Sequence, residues 1–217
     1  KLKFGGSFTQ SFQTLEHSST STANPGLVAI VPGFNTANAN LYLDAFLADG
    51  VTLNMTLYLS ARHHNETWVK GGYIQFDKFP FLKSDFIDNI MKITTIKVGH
   101  MEINYGDAHF RRSDNGNSIY NPFVENYIMD AFTTEIGAEV NVEHKGFLAM
   151  AAITNGKIKG DIAKGVIYAG GSDGKSRPAF IGKIGFDKQI NDNVRLRITG
   201  SGYYTGGSIS NTLYGGD

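Results

Sequence analysis

Two groups of residues in the 217-residue chain have types and spacings that could support metal or nucleotide chemistry. His63 and His64, followed by Glu66, are residue types that bind metal ions. Adjacent histidines in a strand or tight turn point apart, and no third ligand stands nearby, so a solvated loop is the preferred interpretation. Residues 169–176, with the sequence AGGSDGKS, satisfy a relaxed phosphate-loop pattern. A phosphate loop opens a helix, whereas a proline and then an alternating segment follow here, so these residues are also interpreted as a loop.

Other signals for catalysis are weak. The chain has no cysteine, which excludes disulfides, a cysteine nucleophile and cysteine-based metal sites. Glu135 and Glu139 are four residues apart on a predicted strand, which places them about 13 Å apart, too far to share a proton. Serine, histidine and aspartate do not cluster in the sequence as a catalytic triad would require. We therefore predict that the protein is not an enzyme and holds no cofactor or metal ion.

The densest cluster of charges lies in residues 107–114. If this segment is a loop that folds into a water-filled interior, its charged side chains would form a constriction that filters solutes by charge. The candidate constriction residues are Asp107, Arg111, Arg112 and Asp114. The alternative, which the sequence favours, is a solvated external loop.

Positioning such residues requires regular elements, and the clearest of them is the segment 51–62. Its apolar residues, from Val51 to Ala61, occupy every second position, and its polar residues, from Thr52 to Arg62, occupy the others. Alternation with a period of two indicates a strand with one apolar and one solvated face. The length of the segment matches the ~9–11 residues of a tilted transmembrane strand.

Similar but less regular alternation predicts nine strands in all. Their predicted bounds are 2–16, 38–48, 51–62, 67–79, 93–105, 125–143, 147–155, 178–190 and 194–205. In the fifth strand the apolar phase shifts near Gly99, and a β-bulge at Gly99 and His100 would absorb that shift. Ser84 and Asp85, followed by apolar residues at helical spacing, predict a small helix before this strand.

The predicted connections differ between the two ends of the strands. Even-numbered strands end in tight turns rich in residues that tolerate positive φ: 49–50, 144–146 and 191–193. Odd-numbered strands end in long polar loops: about 17–37, 106–124 and 156–177. Two connections depart from this rule, the short link 63–66 and the longer link 81–91. Short turns on one side and long loops on the other are typical of outer-membrane barrels.

Composition fits a β-barrel in a membrane. Hydrophobic residues make up 41% of the chain and aromatic residues 12%, which excludes a disordered protein. Formal net charge is zero, so no global field attracts nucleic acid. No apolar run approaches the ~18 residues of a transmembrane helix, so the chain would cross a membrane as strands. The predicted fold is an all-β, antiparallel, up-and-down transmembrane β-barrel that forms one domain over residues 1–217.

The strand count qualifies this prediction. Bacterial barrels normally have an even number of strands, and an unpaired last strand would leave backbone hydrogen-bonding groups exposed to lipid. We therefore expect the nine strands to be the N-terminal part of a larger barrel.

Charged residues on the polar positions of the strands are the candidate functional set. A charge facing lipid costs ~2–4 kcal/mol at the bilayer midplane, so these side chains are expected to point into the barrel. The predicted pore-lining residues are Lys3, Asp44, Lys97, Glu135, Glu139, Lys183, Asp187, Arg195 and Arg197. Both signs are present, so pairing across neighbouring strands is an equally good explanation of their presence.

One segment resembles a known family. Residues 96–113, IKVGHMEINYGDAHFRRS, resemble a recurrent segment of Gram-negative outer-membrane porins, in the group that includes phosphate-selective-porin-like proteins. In that group a strand containing Lys-Val-Gly and ending in an aromatic residue and glycine opens a polar loop. The sequences NGNS at 115–118 and Asn121-Pro122 look like the continuation of that loop. The resemblance implies a passive and usually oligomeric channel in the bacterial outer membrane. Family members are about twice as long as this chain.

These observations lead to a functional hypothesis with two alternatives. The chain is expected to form a porin-like channel for passive diffusion of small hydrophilic solutes or ions, in contact with the lipid bilayer and lipopolysaccharide. The first alternative is a barrel with little or no channel activity that acts as a structural subunit of an outer-membrane assembly, with a homo-oligomer or other outer-membrane proteins as partners. The second is a soluble barrel that binds a ligand inside, which requires a polar exterior and an apolar interior.

Overall fold

A computed structural model describes residues 1–9, 12–14, 16, 32–34, 38–60, 67–107, 134–156 and 177–206. These residues form eleven strands and one helix, which are β1 (Leu2–Thr9), β2 (Phe12–Gln13), β3 (Gly33–Phe34), β4 (Asn38–Ala48), β5 (Val51–Ser60), β6 (Thr67–Phe76), α1 (Asp85–Met91), β7 (Thr94–Glu102), β8 (Thr134–His144), β9 (Phe147–Thr154), β10 (Ala179–Asn191) and β11 (Val194–Thr205). Among the described residues, no helix has the length and hydropathy that crossing a bilayer would demand.

Nine of the strands form one antiparallel sheet in which each strand pairs with its neighbours along the chain. The order is β1-β4-β5-β6-β7-β8-β9-β10-β11, and β2 pairs with β3 in a separate two-stranded ribbon. The predicted all-β antiparallel fold and its nine strands are thus confirmed. Within the described residues the sheet is open, because β1 pairs only with β4 and β11 only with β10.

The prediction of a single first strand over residues 2–16 is wrong. The strand β1 ends at Thr9, and Phe12 and Gln13 pair with Phe34 and Gly33 in the ribbon instead. The ring centroids of Phe12 and Phe34 are 5.1 Å apart, so an aromatic contact across the ribbon accompanies this pairing.

The tight turns lie where the sequence predicts them. Gly50 has a φ of 71°. Lys145 and Gly146 have φ values of 52° and 93°, as a type I′ hairpin requires. The third turn, at Asp192 and Asn193, has no residue with positive φ. We call this end of the sheet, which also contains Lys1 and the 77–93 connection, the turn end. There, Lys78 Nζ lies 2.5 Å from Asp49 Oδ2, and this hydrogen bond raises the pKa of the Lys78 ammonium above its usual value.

The predicted bulge at Gly99 and His100 is wrong. Pairing runs without a register shift through these residues on both sides of β7, with Gly99 opposite Tyr73 and Gly137. Because the phase is kept, Met101 faces the same side as Lys97, and the chain then leaves the strand on that side. Register shifts occur instead at Phe46/Ala48, at Thr56/Leu57 and at Gln189/Asn191.

The predicted helix is present as α1. Ser84 has an extended backbone, and its hydroxyl accepts a hydrogen bond from the Ile87 N–H, the usual geometry of an N-cap. Asp85 and Asp88 in the first turn match the positive end of the helix dipole. Of the helix residues, Met91 is buried.

The sheet has two faces of opposite character. The polar face is the one that carries Lys97, Glu139 and Lys183, and the apolar face is the opposite one. The apolar face exposes large hydrophobic side chains on every one of the nine strands: Leu2, Phe4, Phe8, Leu41, Leu59, Val69, Val98, Ile136, Val140, Ile153, Phe180, Ile184, Ile198 and Tyr204. Phe4 and Ile184 are 69% and 70% exposed, so no described element covers this face.

Candidate functional site

All nine predicted pore-lining residues lie on the polar face. Cross-strand register places Lys3 opposite Asp44, and Lys97 opposite Glu139. It also places Asp187 opposite Arg197. Directly opposite residues of an antiparallel pair share a face, so alternation along each strand and pairing across the sheet agree on this placement.

The chain crosses the polar face directly after β7. Ile103 is buried against Met150 and Ile181, and Tyr105 and Tyr203 pack around them. Burial of one such apolar side chain is worth about 1.5–3 kcal/mol, enough to hold a short segment in place. Residues 103–107, here called the crossing segment, therefore contribute Ile103 and Tyr105 to an apolar cluster on an otherwise polar surface.

Lys183 of β10 binds the crossing segment through its ammonium group. Its Nζ lies 2.8 Å from Asn104 Oδ1, 2.8 Å from the Gly106 carbonyl oxygen and 2.5 Å from Asp107 Oδ1. The side chain is only 3% exposed. A buried ammonium requires acceptors for its donors and an opposite charge, and the crossing segment supplies both.

Asp107 connects the crossing segment to β11. Arg197 donates to it with two nitrogens, Nε to Oδ2 at 2.8 Å and a terminal nitrogen to Oδ1 at 3.0 Å. The Thr199 hydroxyl donates to Oδ2 at 2.9 Å. A bidentate arginine–carboxylate contact fixes the relative orientation of the two side chains as well as their distance, so the end of the crossing segment is held in one place.

A second carboxylate extends this arrangement into a row of alternating charges. Asp187 Oδ2 accepts from Arg197 at 2.6 Å, and Asp187 also accepts two hydrogen bonds from Arg195, at 2.6 and 2.7 Å. The row therefore runs Lys183, Asp107, Arg197, Asp187, Arg195. It contains three basic and two acidic side chains, so cross-strand pairing accounts for much of this charge.

Exposure within this row is uneven. The Arg195 side chain is 65% exposed, whereas the Asp187 side chain beneath it is 12% exposed. Because the carboxylates lie deeper, the guanidinium groups are the charges that a solute on the polar face would meet first.

Glu135 joins strands that are not neighbours. Its carboxylate is buried and accepts hydrogen bonds from the Thr154 hydroxyl and, at 2.7 Å, from the Tyr203 hydroxyl. Glu135 lies on β8 and Tyr203 on β11, three strands further along the sheet. Flat strands so separated would be about 14 Å apart, so the polar face is concave between them.

Glu139 and Lys97 form a separate pair. Lys97 Nζ lies 3.7 Å from Glu139 Oε1, and Asn141 donates to the same oxygen at 2.6 Å. The Lys97 ammonium also lies 5.5 Å from the centre of the Tyr73 ring, within range of a cation–π contact. Tyr73 stands opposite Gly99, where a side chain would collide with the Tyr73 backbone.

Lys3 and Asp44 are not part of the charge row of β10 and β11. They lie on β1 and β4, at the opposite end of the sheet from β10 and β11. Lys3 Nζ lies 5.2 Å from the centre of the Phe46 ring, which shares the polar face.

Several sequence candidates lie outside the described residues. Of the predicted constriction residues, the structure describes Asp107, and Arg111, Arg112 and Asp114 fall in the undescribed range 108–133. The histidine pair at 63–64 and the glycine-rich segment 169–176 also lie outside. Within the described ranges, no three histidine, aspartate or glutamate side chains are grouped as a metal ion would require.

Neither the roles of Asn104 and Tyr203 nor the course of the crossing segment over the polar face is predicted from the sequence. A signal was present, because Met101, Ile103 and Tyr105 share odd-numbered positions with Thr95 and Lys97. Apolar residues that continue the polar phase of a strand indicate a local core on the polar face. The bulge predicted at Gly99 and His100 does not account for them, because pairing continues there without a shift.

No protein-family model, no curated protein and no solved structure matches the chain. The likeness to outer-membrane porins thus depends on the pattern of strands and loops and on the sequence of residues 96–122.

Proposed function

We propose that this protein is a porin-like channel of the bacterial outer membrane that passes small hydrophilic solutes or ions by diffusion. The observation that carries the proposal is the contrast between the two faces of the sheet. One face exposes large apolar side chains on all nine strands, and the other carries nine charged residues of the predicted set. Lipid suits the first face and water the second.

The size of the apolar face argues against a soluble protein. Soluble monomers rarely expose contiguous apolar patches larger than a few hundred square ångströms. A soluble barrel that binds its ligand inside would have the opposite polarity, with apolar residues within. A lipid-facing exterior accounts for the exposed residues without a further partner.

The two open edges of the sheet, at β1 and β11, would need partners in a membrane. In hydrocarbon, unpaired backbone N–H and C=O groups cost several kcal/mol each, so transmembrane sheets are closed. We therefore propose that β1 and β11 pair with strands beyond the described residues or with each other. The resemblance of residues 96–113 to porins supports the same conclusion.

Single-channel recording tests the proposal. The purified protein, with its strand content verified by circular dichroism, is added to a planar lipid bilayer, and stepwise increases of current are expected. Folded protein that inserts without producing steps would contradict channel activity.

A matched pair of variants distinguishes a pore from a nonspecific leak. Gln75 and Ile74 are neighbours on β6 and lie on the polar and apolar faces. Gln75→Trp is expected to reduce the size of each step because it adds bulk to the lumen. Ile74→Trp should leave the step unchanged, and equal effects of both variants would argue against conduction along the polar face.

A second function is favoured by one observation. The crossing segment and the charge row cover part of the polar face, and such filling suits a closed barrel that serves as a structural subunit of an outer-membrane assembly. Isolation of the protein from native membranes in mild detergent distinguishes the channel function from the structural function. A partner at fixed stoichiometry, together with the absence of current steps, would favour the structural role.

A further inference from the structure

We propose that α1 and the aromatic residues before it form an anchor in the lipid headgroup region at the turn end of the sheet. The proposal rests on the proposed membrane location and adds a lipid-binding element to it. The occupant of this surface is the bilayer interface, and the following observations support that choice.

The helix α1 has two arcs of different polarity. At 100° per residue, Phe86, Ile87, Ile90 and Met91 share one side of the helix, whereas Asp85, Asp88 and Asn89 share the other. Met91 is buried and Ile87 half-buried, but Phe86 is 73% exposed and Ile90 43% exposed. The sheet therefore covers only part of the apolar side.

The polar arc indicates which way the helix is turned. Asp85, Asp88 and Asn89 line a depression together with Asp77, Lys78, Lys92 and Met91, which lies at the edge of the apolar arc next to Asp88. Asp77 continues the polar face, because it accepts hydrogen bonds from Gln75 and from Thr95. Since the polar arc faces this side, the exposed Phe86 and Ile90 lie towards the opposite, apolar side of the barrel wall.

Aromatic contacts continue the apolar face into the connection before the helix. Phe76 lies on the apolar face opposite Val51 and Ile96. Its ring centroid is 5.4 Å from that of Phe79, which is 5.4 Å from that of Phe81. Phe81 is 66% exposed, so an apolar surface extends from the strands to the turn end without a break in contact.

A lipid interface fits this arrangement. Interfacial helices bury an apolar arc ~5–10 Å into the boundary between headgroups and acyl chains and keep their polar arc in water. The turn end is where the hydrocarbon gives way to headgroups, since the strands end there. A helix as short as α1 would not bind a membrane alone, but the strands on both sides of it fix its position.

Fluorescence quenching by brominated lipids tests the proposal. Trp68 is the sole tryptophan of the chain, so in a Trp68→Phe background every introduced tryptophan is the single reporter. If the Trp68→Phe protein loses strand content, Trp68→Tyr is used as the background instead. The reporters are Phe86→Trp on the apolar arc, Asn89→Trp on the polar arc and Ile184→Trp on the apolar face of β10. Each protein is reconstituted into phosphatidylcholine vesicles brominated near the headgroup or near the bilayer centre.

If the anchor is correct, bromine near the headgroup (shallow bromine) quenches the tryptophan at position 86 strongly, and bromine near the bilayer centre (deep bromine) quenches it less. The tryptophan at position 89 is not quenched by either lipid. Quenching at 184 with no quenching at 86 would overturn the anchor and leave the barrel intact. Quenching at position 86 mainly by deep bromine would also overturn the anchor. So would protection of position 86 from aqueous iodide without any quenching by bromine, because that result indicates contact with protein and not with lipid. Absence of quenching at 184 would instead contradict the membrane location itself.

Discussion

At the scale of single residues, the polar face depends on a few buried charges whose partners come from elsewhere in the chain. Lys183 is the clearest case, because its ammonium is almost fully buried and three acceptors for it lie in the crossing segment. Asp107 neutralises it and at the same time binds Arg197. Removing a single partner of a buried pair leaves a charge without compensation, which costs more than the pair contributes.

The variant Asp107→Asn is therefore expected to lower the free energy of unfolding by about 2 kcal/mol. This is less than the ~3–5 kcal/mol of a fully buried pair, since Asp107 is about a third exposed. Urea titration of the protein in lipid vesicles measures the change. Asp192→Asn, in the exposed turn before β11, is the matched control and should have little effect.

A double variant separates charge from packing. Lys183→Met in the Asp107→Asn background removes the buried ammonium that has lost the Asp107 carboxylate, so the double variant should be more stable than Asp107→Asn alone. Equal or greater destabilisation in the double variant would show that the ion pair is not what holds the crossing segment.

At the scale of elements, the strands were predictable because their determinants are local. Alternation predicts the start of β5 and both bounds of β11, and the pairs Asp49-Gly50 and Lys145-Gly146 mark turns. The course of the chain after β7 was not predictable in the same way. Whether Ile103 lies on the apolar face or in a local core on the polar face depends on Met150 and Ile181, which are distant in sequence and adjacent only after the sheet has formed.

Close packing of strands gives a prediction for Gly137. A Cβ atom there would collide with the Ile153 carbonyl oxygen of β9, whereas a Cβ at Gly182 would meet nothing within 4 Å. Gly137→Ala is expected to lower the free energy of unfolding by about 1–3 kcal/mol, and Gly182→Ala should change it little. The same urea titration measures both, and similar values for the two variants would contradict the packing argument.

The β8–β9 turn gives a prediction of the opposite sign. Lys145 has a φ of 52°, a conformation that L-residues other than asparagine and aspartate rarely adopt. Lys145→Asn creates the Asn-Gly pair preferred in type I′ turns and is expected to raise the free energy of unfolding by about 0.5–1 kcal/mol. Asp192→Asn lies in a turn without positive φ and again serves as the control. A decrease in stability for Lys145→Asn would indicate that the lysine side chain has a role of its own.

At the scale of the whole molecule, the arrangement of polarity matters more than composition. A net charge of zero and a mean hydropathy of -0.19 would suit many soluble proteins. What differs is that most charges of the strands lie on one face and most exposed apolar residues on the other, and alternation along each strand produces that separation. Glu102 and Lys188, near the strand ends, are charged residues on the apolar face. The sequence thus predicts the separation well, but which surroundings each face meets depends on closure of the sheet, which local patterns do not determine.

A charge placed on the apolar face distinguishes the membrane protein from a soluble one. Ile184 is 70% exposed, and a soluble protein would tolerate Ile184→Arg with a change within about 0.5 kcal/mol. In a bilayer the same variant should lower the free energy of unfolding by about 2–4 kcal/mol if position 184 lies near the midplane. Asn54→Arg on the polar face of β5 is the control, since its side chain would point towards water. If both variants changed stability equally in vesicles, the apolar face would not be the lipid-facing one, because only burial in hydrocarbon makes the cost of an arginine depend on the face that carries it.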